Sequence, residues 1–314
     1  MNWDDPSLRV SSDTPWRAKR RILQSWWRQA ELHAEPGTLT GKMQPVGSLL
    51  TAADVEAQPW LNFLNQEAFD HALLRAVEVQ AAAGTLDKDR LLRNLLSSMP
   101  LCFNVFGALR SNDAFLWLLQ RTWAPEAAEV LDVQCEWAPQ PKQEHLADNT
   151  AFDAAVWFRD TANRSVLLGV EVKYTEPFSA KVYDTDRYRH VTDECGWFRP
   201  GARDVLRSSG TNQMWRNTML AAAVELAGQV DRALIGTLSL GGDPGVAKAI
   251  LPLTEQLTDQ TRLRSVTVED LTAVAAGHPE LESWVSAFRR RYLDDPTGDA
   301  GPEPSGLAPL RQLP

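Results

Sequence analysis

The period of the apolar residues changes near residue 126, and this change limits the folds that are open to the chain. Before it, apolar residues recur at helical spacing, with the longest segments at 13–33 and 60–82. After it come β-prone runs and a strong helix, in the order strand 127–137, strand 151–158, strand 166–174, helix 211–230 and strand 231–240. This order predicts a mixed α/β core behind a mostly helical segment.

The same reading divides the chain into three parts. Residues 1–125 are predicted as a helical elaboration packed on the core, and residues 126–293 as the core with its closing helices. The Pro/Gly-rich stretch 294–314 is predicted to be a disordered tail. Within the first two parts we predict a connector at 35–59, a helix from Asp87 through LDKDRLLRNLLSS, and a helix around 177–192.

The third β-prone run, VLLGVEVKY, carries two charges among apolar residues. Side chains alternate between the two faces of a strand, so Glu171 and Lys173 point to one face together with Gly169. Val170 and Val172 point to the other face, into an apolar core. Charged groups in such a strand need a partner or a function.

The preceding run, AFDAAVWF, supplies a second carboxylate. Its link to the next run, RDTANRS, has the length of a hairpin loop, and antiparallel pairing then sets Asp153 beside Glu171. By strict alternation Phe152 faces the opposite side with Ala154, and the small residues Ala155 and Gly169 are expected to leave open space near the charges. Two carboxylates and an ammonium group therefore converge on one patch.

This patch has the parts of a magnesium-assisted hydrolytic site. Neighbouring carboxylates resist joint ionisation, and a divalent cation removes that conflict. Mg²⁺ is commonly bound by one or two carboxylates together with waters and a substrate phosphate. Lys173 could position or deprotonate an attacking water, or stabilise charge on the phosphate. Metal-assisted hydrolysis of phosphodiesters uses these components.

Asp153 followed by Glu171-Val172-Lys173 on consecutive strands resembles the PD-(D/E)XK nuclease superfamily, the restriction-endonuclease-like fold. The order helix, three strands, helix, strand matches the core of that family. The segments NLLSSMPLCFNVFGAL, LLGVEVKYTEPF and QMWRNTMLAA are similar to a bacterial restriction-endonuclease group within it. One departure is that Phe152, not Pro, precedes Asp153.

The resemblance implies a role for each residue of the motif. Asp153 and Glu171 would bind Mg²⁺ or Mn²⁺, together with the backbone carbonyl of Val172. Lys173 would assist the attacking water. A plainer reading of the same residues is an ion pair between Glu171 and Lys173 on a half-exposed sheet.

Other polar residues receive roles by the same resemblance. Gln213 would support the metal-bound water or the lysine, although it could also be a solvent-facing residue in the first turn of its helix. Glu67 would be an additional metal ligand, with Glu136 as a rival for that role, although Glu67 could be an ordinary exposed glutamate. Glu176 could cap or pair locally.

Arginines and aromatic residues follow the third run, and arginine forks bind phosphates while aromatic rings stack on bases. The candidate nucleic-acid contacts are Arg187, Arg189, Arg203, Arg207 and Arg216. Acidic residues are interspersed with them, so a solvated charged face is the alternative. A second candidate is the basic cluster on the first helix, which consists of Arg17, Lys19, Arg20 and Arg21.

Composition restricts the class of protein further. The chain has 32 basic and 41 acidic residues, a net charge of −9, which argues against a generic nucleic-acid coat protein but not against a nuclease with a local basic path. Three scattered cysteines form no zinc-type pair and fit a reducing cytoplasm. No apolar run reaches the ~18 residues of a membrane span, and the first residues lack a secretory signal.

These observations predict a cytoplasmic, Mg²⁺-dependent nuclease that cuts DNA. The resemblance implies a setting in restriction or phage defence, with a homodimer favoured for a double-strand cut and a partner protein of a defence system as a further option. One alternative is a catalytically silent nuclease fold that serves as a nucleic-acid-binding or scaffold subunit. The other is a purely structural α/β protein.

Overall fold

The computed structural model describes residues 5–39, 41 and 43–295. Its strands are β1 (Pro36–Thr38), β2 (Pro45–Leu50), β3 (Ala127–Trp137), β4 (Phe152–Asp160), β5 (Ser165–Lys173), β6 (Arg232–Ser239) and β7 (Leu263–Thr267). Its helices are α1 (Pro15–Ala30), α2 (Ala52–Ala57), α3 (Gln66–Ala81), α4 (Lys88–Arg93), α5 (Ser98–Cys102), α6 (Ala114–Arg121), α7 (Asp186–Glu194), α8 (Ala202–Leu206), α9 (Asn212–Leu226), α10 (Pro244–Gln256), α11 (Val268–Ala275) and α12 (Glu282–Tyr292). The predicted disordered tail lies outside the described residues, apart from positions 294 and 295. None of the helices in these ranges is both long and apolar enough to cross a membrane.

Five strands form one mixed sheet in the order β3-β4-β5-β6-β7. The neighbours β3, β4 and β5 are antiparallel, whereas β6 and β7 continue the sheet parallel to β5. Asp160 stabilises the turn between β4 and β5, because its carboxylate accepts hydrogen bonds from the backbone N–H groups of Ala162 and Arg164, both at 2.9 Å. The mixed sheet with flanking helices confirms the predicted fold class. The hairpin also places the start of β4 beside the end of β5.

The two faces of β5 pack into different cores. Val170 and Val172 belong to a core that also contains buried residues of the N-terminal helices, α11 and α12. Leu167 belongs to a second core formed with α7, α9 and α10. This alternation agrees with the one expected for the strand. Burial on both faces explains the apolar run 166–170 that precedes the charged end of β5.

The start of β4 departs from strict alternation. Phe152 lies in the second core together with Ala155, and its ring stacks on Trp137 with 6.1 Å between ring centroids. A Cβ atom added to Gly169 would meet the Phe152 ring at 2.5 Å. The expectation of open space at Gly169 is therefore wrong, because the glycine makes room for this ring instead.

The segment predicted as a connector at 35–59 contains regular structure. Within the described part of it, β1 and β2 form an antiparallel pair, and α2 follows directly. The helix predicted from Asp87 ends at Arg93, because the next residues run along β2, where Leu95 N donates to Ser48 O at 3.0 Å. The segment is rich in small polar residues, so apolar periodicity alone does not predict this strand pairing.

The helix predicted around 177–192 begins only at Asp186. The residues before it follow an extended path across the start of α9 instead. Ser179 N donates to the Gln213 side chain at 2.9 Å, and Tyr183 N donates to the Asn212 side chain at 3.0 Å. These tertiary hydrogen bonds replace the helical bonds that the local sequence favours.

Helix α1 lies against the charged end of β5. It begins after Thr14, whose hydroxyl accepts from Arg17 N at 3.3 Å, and Pro15 occupies its first turn as predicted. Farther along, the buried Gln24 amide donates to the Tyr174 hydroxyl at 2.9 Å and to a carbonyl of α12 at 2.8 Å. The first and last helices are thereby fixed to the residue that follows Lys173.

Candidate active site

Asp153 lies at the shared end of β4 and β5. The ladder pairs Ala154 with Val170, so the next position outward sets Asp153 opposite Glu171. The Asp153 carboxylate takes the place of a ladder carbonyl, since its Oδ2 accepts from Val172 N at 2.7 Å. The N–H and C=O groups of one strand residue point to the same side, so the Val172 carbonyl also faces the Asp153 side. Two carboxylates and a backbone oxygen therefore meet at this edge.

Glu171 is held on several sides, although it is only 3% exposed. Its Oε1 accepts from Gln213 Nε2 at 2.5 Å and lies 2.7 Å from Lys173 Nζ. Its Oε2 accepts from Asn217 Nδ2 at 2.6 Å. Gln213 and Asn217 are four residues apart and so share one face of α9. Helix α9 therefore fixes the orientation of this carboxylate.

Lys173 is 8% exposed and faces the same group. Its Nζ lies 3.4 Å from Gln213 Oε1 and 4.8 Å from the centre of the Phe178 ring. Burial alone would lower the pKa of Lys173, but the negative charges of Glu171 and Asp153 outweigh it and raise the pKa. The side chain is therefore a protonated ammonium group that neutralises part of the carboxylate charge.

A third carboxylate, that of Glu136, stands close to the pair. Burial and the charge of Glu171 raise the pKa of Glu136 to about 7, against the opposing effect of Arg90. Burial and the charges of Glu171 and Glu136 hold the pKa of Asp153 well above its usual range. Glu136 has a φ of 52°, a left-handed conformation that costs a residue with a Cβ about 1–3 kcal/mol.

The donor set fits a magnesium-type ion better than a closed metal cage. Among the described residues, no group of three or more His, Cys, Asp and Glu side chains is arranged to hold a metal. Two carboxylates and the Val172 carbonyl leave several coordination positions for waters and a phosphate, which is the mode that Mg²⁺ prefers. Burial, followed by the charges of Glu171 and Glu136, raises the pKa of Asp153, and a cation at this edge would favour its ionised form.

The two remaining glutamates of the sequence analysis have other contacts. Glu67 lies in the first turn of α3, and its Oε1 accepts from Ser111 N at 3.1 Å. Glu176 forms an ion pair with Arg90 and accepts from Ser98 N at 2.8 Å. The charge of Glu136 is among the main charges that act on Asp153, whereas the charge of Glu176 acts on Lys173.

Two of the candidate nucleic-acid-binding arginines brace loops near the site. Arg187 donates to the carbonyl of Glu144 at 2.8 Å. Arg216, on α9, donates to Thr150 Oγ1 at 2.6 Å and lies 4.2 Å from the centre of the Tyr183 ring. Both side chains are thus positioned by protein contacts.

The other three arginines lie in a mixed-charge group, as the interspersed acids lead one to expect. Arg189 pairs with Asp186. Arg203 donates from Nε to Asp184 Oδ1 at 2.9 Å, and Arg207 lies 3.7 Å from the same carboxylate. Their role toward nucleic acid stays a prediction.

The basic cluster of α1 is also partly neutralised. Arg17 and Arg21 both pair with Asp13, at 3.2 and 2.5 Å. Arg20 instead lies over the Trp16 ring, 4.7 Å from its centre, and the described residues give it no carboxylate partner. Its charge acts on the hydroxyl of Tyr174, the residue after Lys173. Lys19 pairs with Asp295 at 3.1 Å, so Arg20 is the member of this cluster whose charge is not matched by a carboxylate among the described residues.

The fold and the site define a class: an α/β protein whose mixed sheet carries paired carboxylates and a lysine at the shared end of two antiparallel strands. Residues 11–294 match the PD-(D/E)XK nuclease superfamily, so the chain belongs to that superfamily. No curated protein and no solved structure matches the chain. Membership indicates metal-dependent hydrolysis of phosphodiester bonds in nucleic acid.

Proposed function

We propose that the protein is a Mg²⁺- or Mn²⁺-dependent nuclease that cuts DNA, with its active centre at Asp153, Glu171 and Lys173. The observation that carries the proposal is the convergence of these three side chains at one edge of the sheet. A surface ion pair does not account for it, because Glu171 and Lys173 are nearly inaccessible to water. A buried charged group of this kind is typical of a functional site.

Each residue of the proposed active centre would have a separate role in hydrolysis. Asp153, Glu171 and the Val172 carbonyl would hold the ion, which would lower the pKa of a bound water and neutralise charge on the phosphate. Lys173 would hold the water for attack and stabilise the charge that develops on the phosphate oxygens. Once an ion neutralises the carboxylates, less negative charge would remain to raise the pKa of the Lys173 ammonium group. Proton transfer at Nζ would then become easier.

Gln213 and Asn217 would act as positioning residues. The Gln213 amide donates to Glu171 and its carbonyl oxygen faces Lys173, so one side chain sets the distance between the two. Asn217 fixes the second Glu171 oxygen from the next turn of α9. Held in this way, the carboxylate needs little reorganisation when an ion and a phosphate arrive.

Binding of DNA would rest on a small number of cations, because the whole chain carries a net charge of −9. We assign phosphate contacts to Arg187, Arg189, Arg203, Arg207 and Arg216, with Arg20 as a further contact. Each neutralised phosphate releases counterions, so affinity should fall steeply as salt rises. The proposal extends to a cytoplasmic enzyme of restriction or phage defence that acts as a homodimer, with or without a partner protein.

The test is cleavage of supercoiled plasmid, linear DNA and RNA by the wild-type protein with Mg²⁺, Mn²⁺ or EDTA. We expect DNA cleavage with either metal and none with EDTA. Nicked and then linear plasmid would identify an endonuclease, whereas shortening from the ends would identify an exonuclease. Absence of cleavage with every substrate and metal would favour the catalytically silent fold.

Metal binding should also stabilise the folded protein. At ten times its dissociation constant, Mg²⁺ should add about 1.4 kcal/mol to the free energy of unfolding. This corresponds to a rise of about 2–4 °C in melting temperature, measurable by differential scanning fluorimetry. The rise should shrink in Glu136→Gln, because the third carboxylate contributes to the field at the ion.

Glu67→Gln is the matched control for this measurement. Its carboxylate accepts from Ser111 N and is not among the main charges that act on Asp153, so the metal-induced rise should equal that of the wild type. A rise that disappears in Glu67→Gln but persists in Glu136→Gln would assign the additional ligand to Glu67 instead.

A further inference from the structure

A cavity of about 300 Å³ opens beside the carboxylates, between the end of α3 and the end of β3. Its walls include Thr85, Gln134, Glu136, Trp137, Gln140 and Asn149. Glu136 connects the cavity to the active centre, since it lines the cavity and its charge acts on Asp153. Trp137 pairs across the ladder with Phe152, the residue before Asp153. The cavity is therefore at the same end of the sheet as Asp153, with Glu136 between the two.

One wall of the cavity provides a rigid aromatic surface. The Trp137 ring stacks on Phe152 at 6.1 Å between centroids with an angle of 10° between the ring planes. It also meets the Trp157 ring edge to face at 4.9 Å. These contacts keep the indole in place, so a flat ligand in the cavity finds a fixed apolar neighbour.

The other walls provide amide groups. Gln134 donates from Nε2 to Asp132 at 2.7 Å, which leaves its carbonyl oxygen as an acceptor. Asn149 Oδ1 accepts from Lys142 at 2.8 Å, which leaves its NH₂ group as a donor. The Gln140 side chain lines the cavity without a hydrogen bond to any other described residue. Amide donors and acceptors are the side-chain groups that read the edges of nucleobases.

We propose that this cavity binds one unpaired nucleobase of the substrate strand, from a nucleotide next to the phosphate that is cut. Arg75 and Lys142 also line the cavity, but Arg75 pairs with Glu78 and Lys142 donates to Asn149. The aromatic wall and the convergent amides therefore fit a heterocycle better than a phosphate or a lipid. A base inside a duplex cannot reach such a cavity, so the enzyme should prefer single-stranded or locally unpaired DNA at its cutting position. The inference rests on the nuclease function proposed above and specifies its substrate.

The experiment fills the cavity from its rim. Thr85 is exposed, so Thr85→Trp should occupy the cavity without disturbing a core. Thr161→Trp is the matched control, because Thr161 is also exposed but lies in the β4–β5 turn, at the opposite end of the β4–β5 hairpin. Both changes are made in a Lys173→Met background with Mg²⁺, and binding of a labelled single strand of roughly ten nucleotides is followed by fluorescence anisotropy.

Thr85→Trp should weaken binding by at least about fivefold, and Thr161→Trp should leave it unchanged. A series of strands that each lack one base should identify the bound position. Removal of the base at that position should weaken binding to the Lys173→Met protein by a similar factor. The same strand should bind the Thr85→Trp variant no more weakly than the complete strand does. Equal binding by the two tryptophan variants, or equal binding of every strand in the series, would overturn the proposal. Free deoxynucleoside monophosphates should compete poorly with the labelled strand for the protein. The proposal would also be overturned if Thr85→Trp weakened the binding of free monophosphates but left the binding of the strand unchanged.

Cleavage assays on proteins that retain Lys173 distinguish failure of the proposed nuclease function from failure of the proposed base-binding cavity. If the wild-type protein cuts no nucleic acid, the nuclease function itself is wrong. If it cuts DNA while Thr85→Trp binds and cuts as the control does, only the assignment of the cavity is wrong.

Discussion

Lys173→Met should lower the single-turnover rate of DNA cleavage by at least about 100-fold and leave Mg²⁺ binding in place. The substitution keeps most of the side-chain volume but removes the only charge of this side chain, which lies 2.7 Å from Glu171. Asp153→Ala should abolish cleavage to at least the same extent and also remove the metal-induced rise in melting temperature. The two variants therefore separate the group that acts on the water and phosphate from the group that holds the ion.

The control for this experiment is Lys181→Met, which makes the same chemical change at an exposed lysine after Phe178. It should cleave DNA at the wild-type rate. Circular dichroism and the melting temperature of each variant show whether the fold is intact. Wild-type cleavage by a folded Lys173→Met protein would mean that Glu171 and Lys173 form only a structural ion pair.

Trp123→Ala should lower the free energy of unfolding by about 3–5 kcal/mol, the range for removal of a large buried aromatic side chain. Trp123 is completely buried, and its ring packs on Phe106 with 5.5 Å between centroids. Its Nε1 donates to the carbonyl of Thr237 at 3.2 Å, on the strand beside β5. The substitution would leave a cavity and remove this hydrogen bond from the sheet.

Urea denaturation followed by circular dichroism measures this effect without relying on tryptophan emission. Trp60→Ala is the matched control, because Trp60 is 47% exposed and touches Phe69 only edge to face. It should cost less than about 1 kcal/mol. Equal destabilisation by the two variants would contradict the conclusion that the buried Trp123 side chain stabilises the fold more than the exposed Trp60 does.

The sheet and the convergence of the candidate site residues could be predicted from the sequence because both depend on local periodicity. Alternation along β5 places Glu171 and Lys173 on one face, and the hairpin length brings Asp153 to the same end. Helix α9 could be predicted from its apolar length. Its Gln213 was assigned a role, whereas Asn217 was not, although four-residue spacing to a second amide in an apolar helix was a usable signal.

Other features depend on contacts that the sequence does not display. Glu136 has a left-handed backbone that shifts the alternation of β3, so Cys135 and Trp137 pack into different cores. A count of alternating positions therefore gives the wrong orientation near Glu136. The path of Ser179 across α9 is likewise set by a hydrogen bond from a distant helix. Such tertiary hydrogen bonds override the local helix propensity, and they cannot be predicted from the spacing of apolar residues.

The core shared by the early helices and one face of β5 limits how the protein can be shortened. An excised fragment that starts at β3 would expose Val170 and Val172 to water, and it would lose the Gln24 contact behind Tyr174. The proposed active centre would then lie on a strand without its packing partners. For recombinant expression and for domain grafting, the portion before residue 126 is therefore best treated as inseparable from the catalytic half.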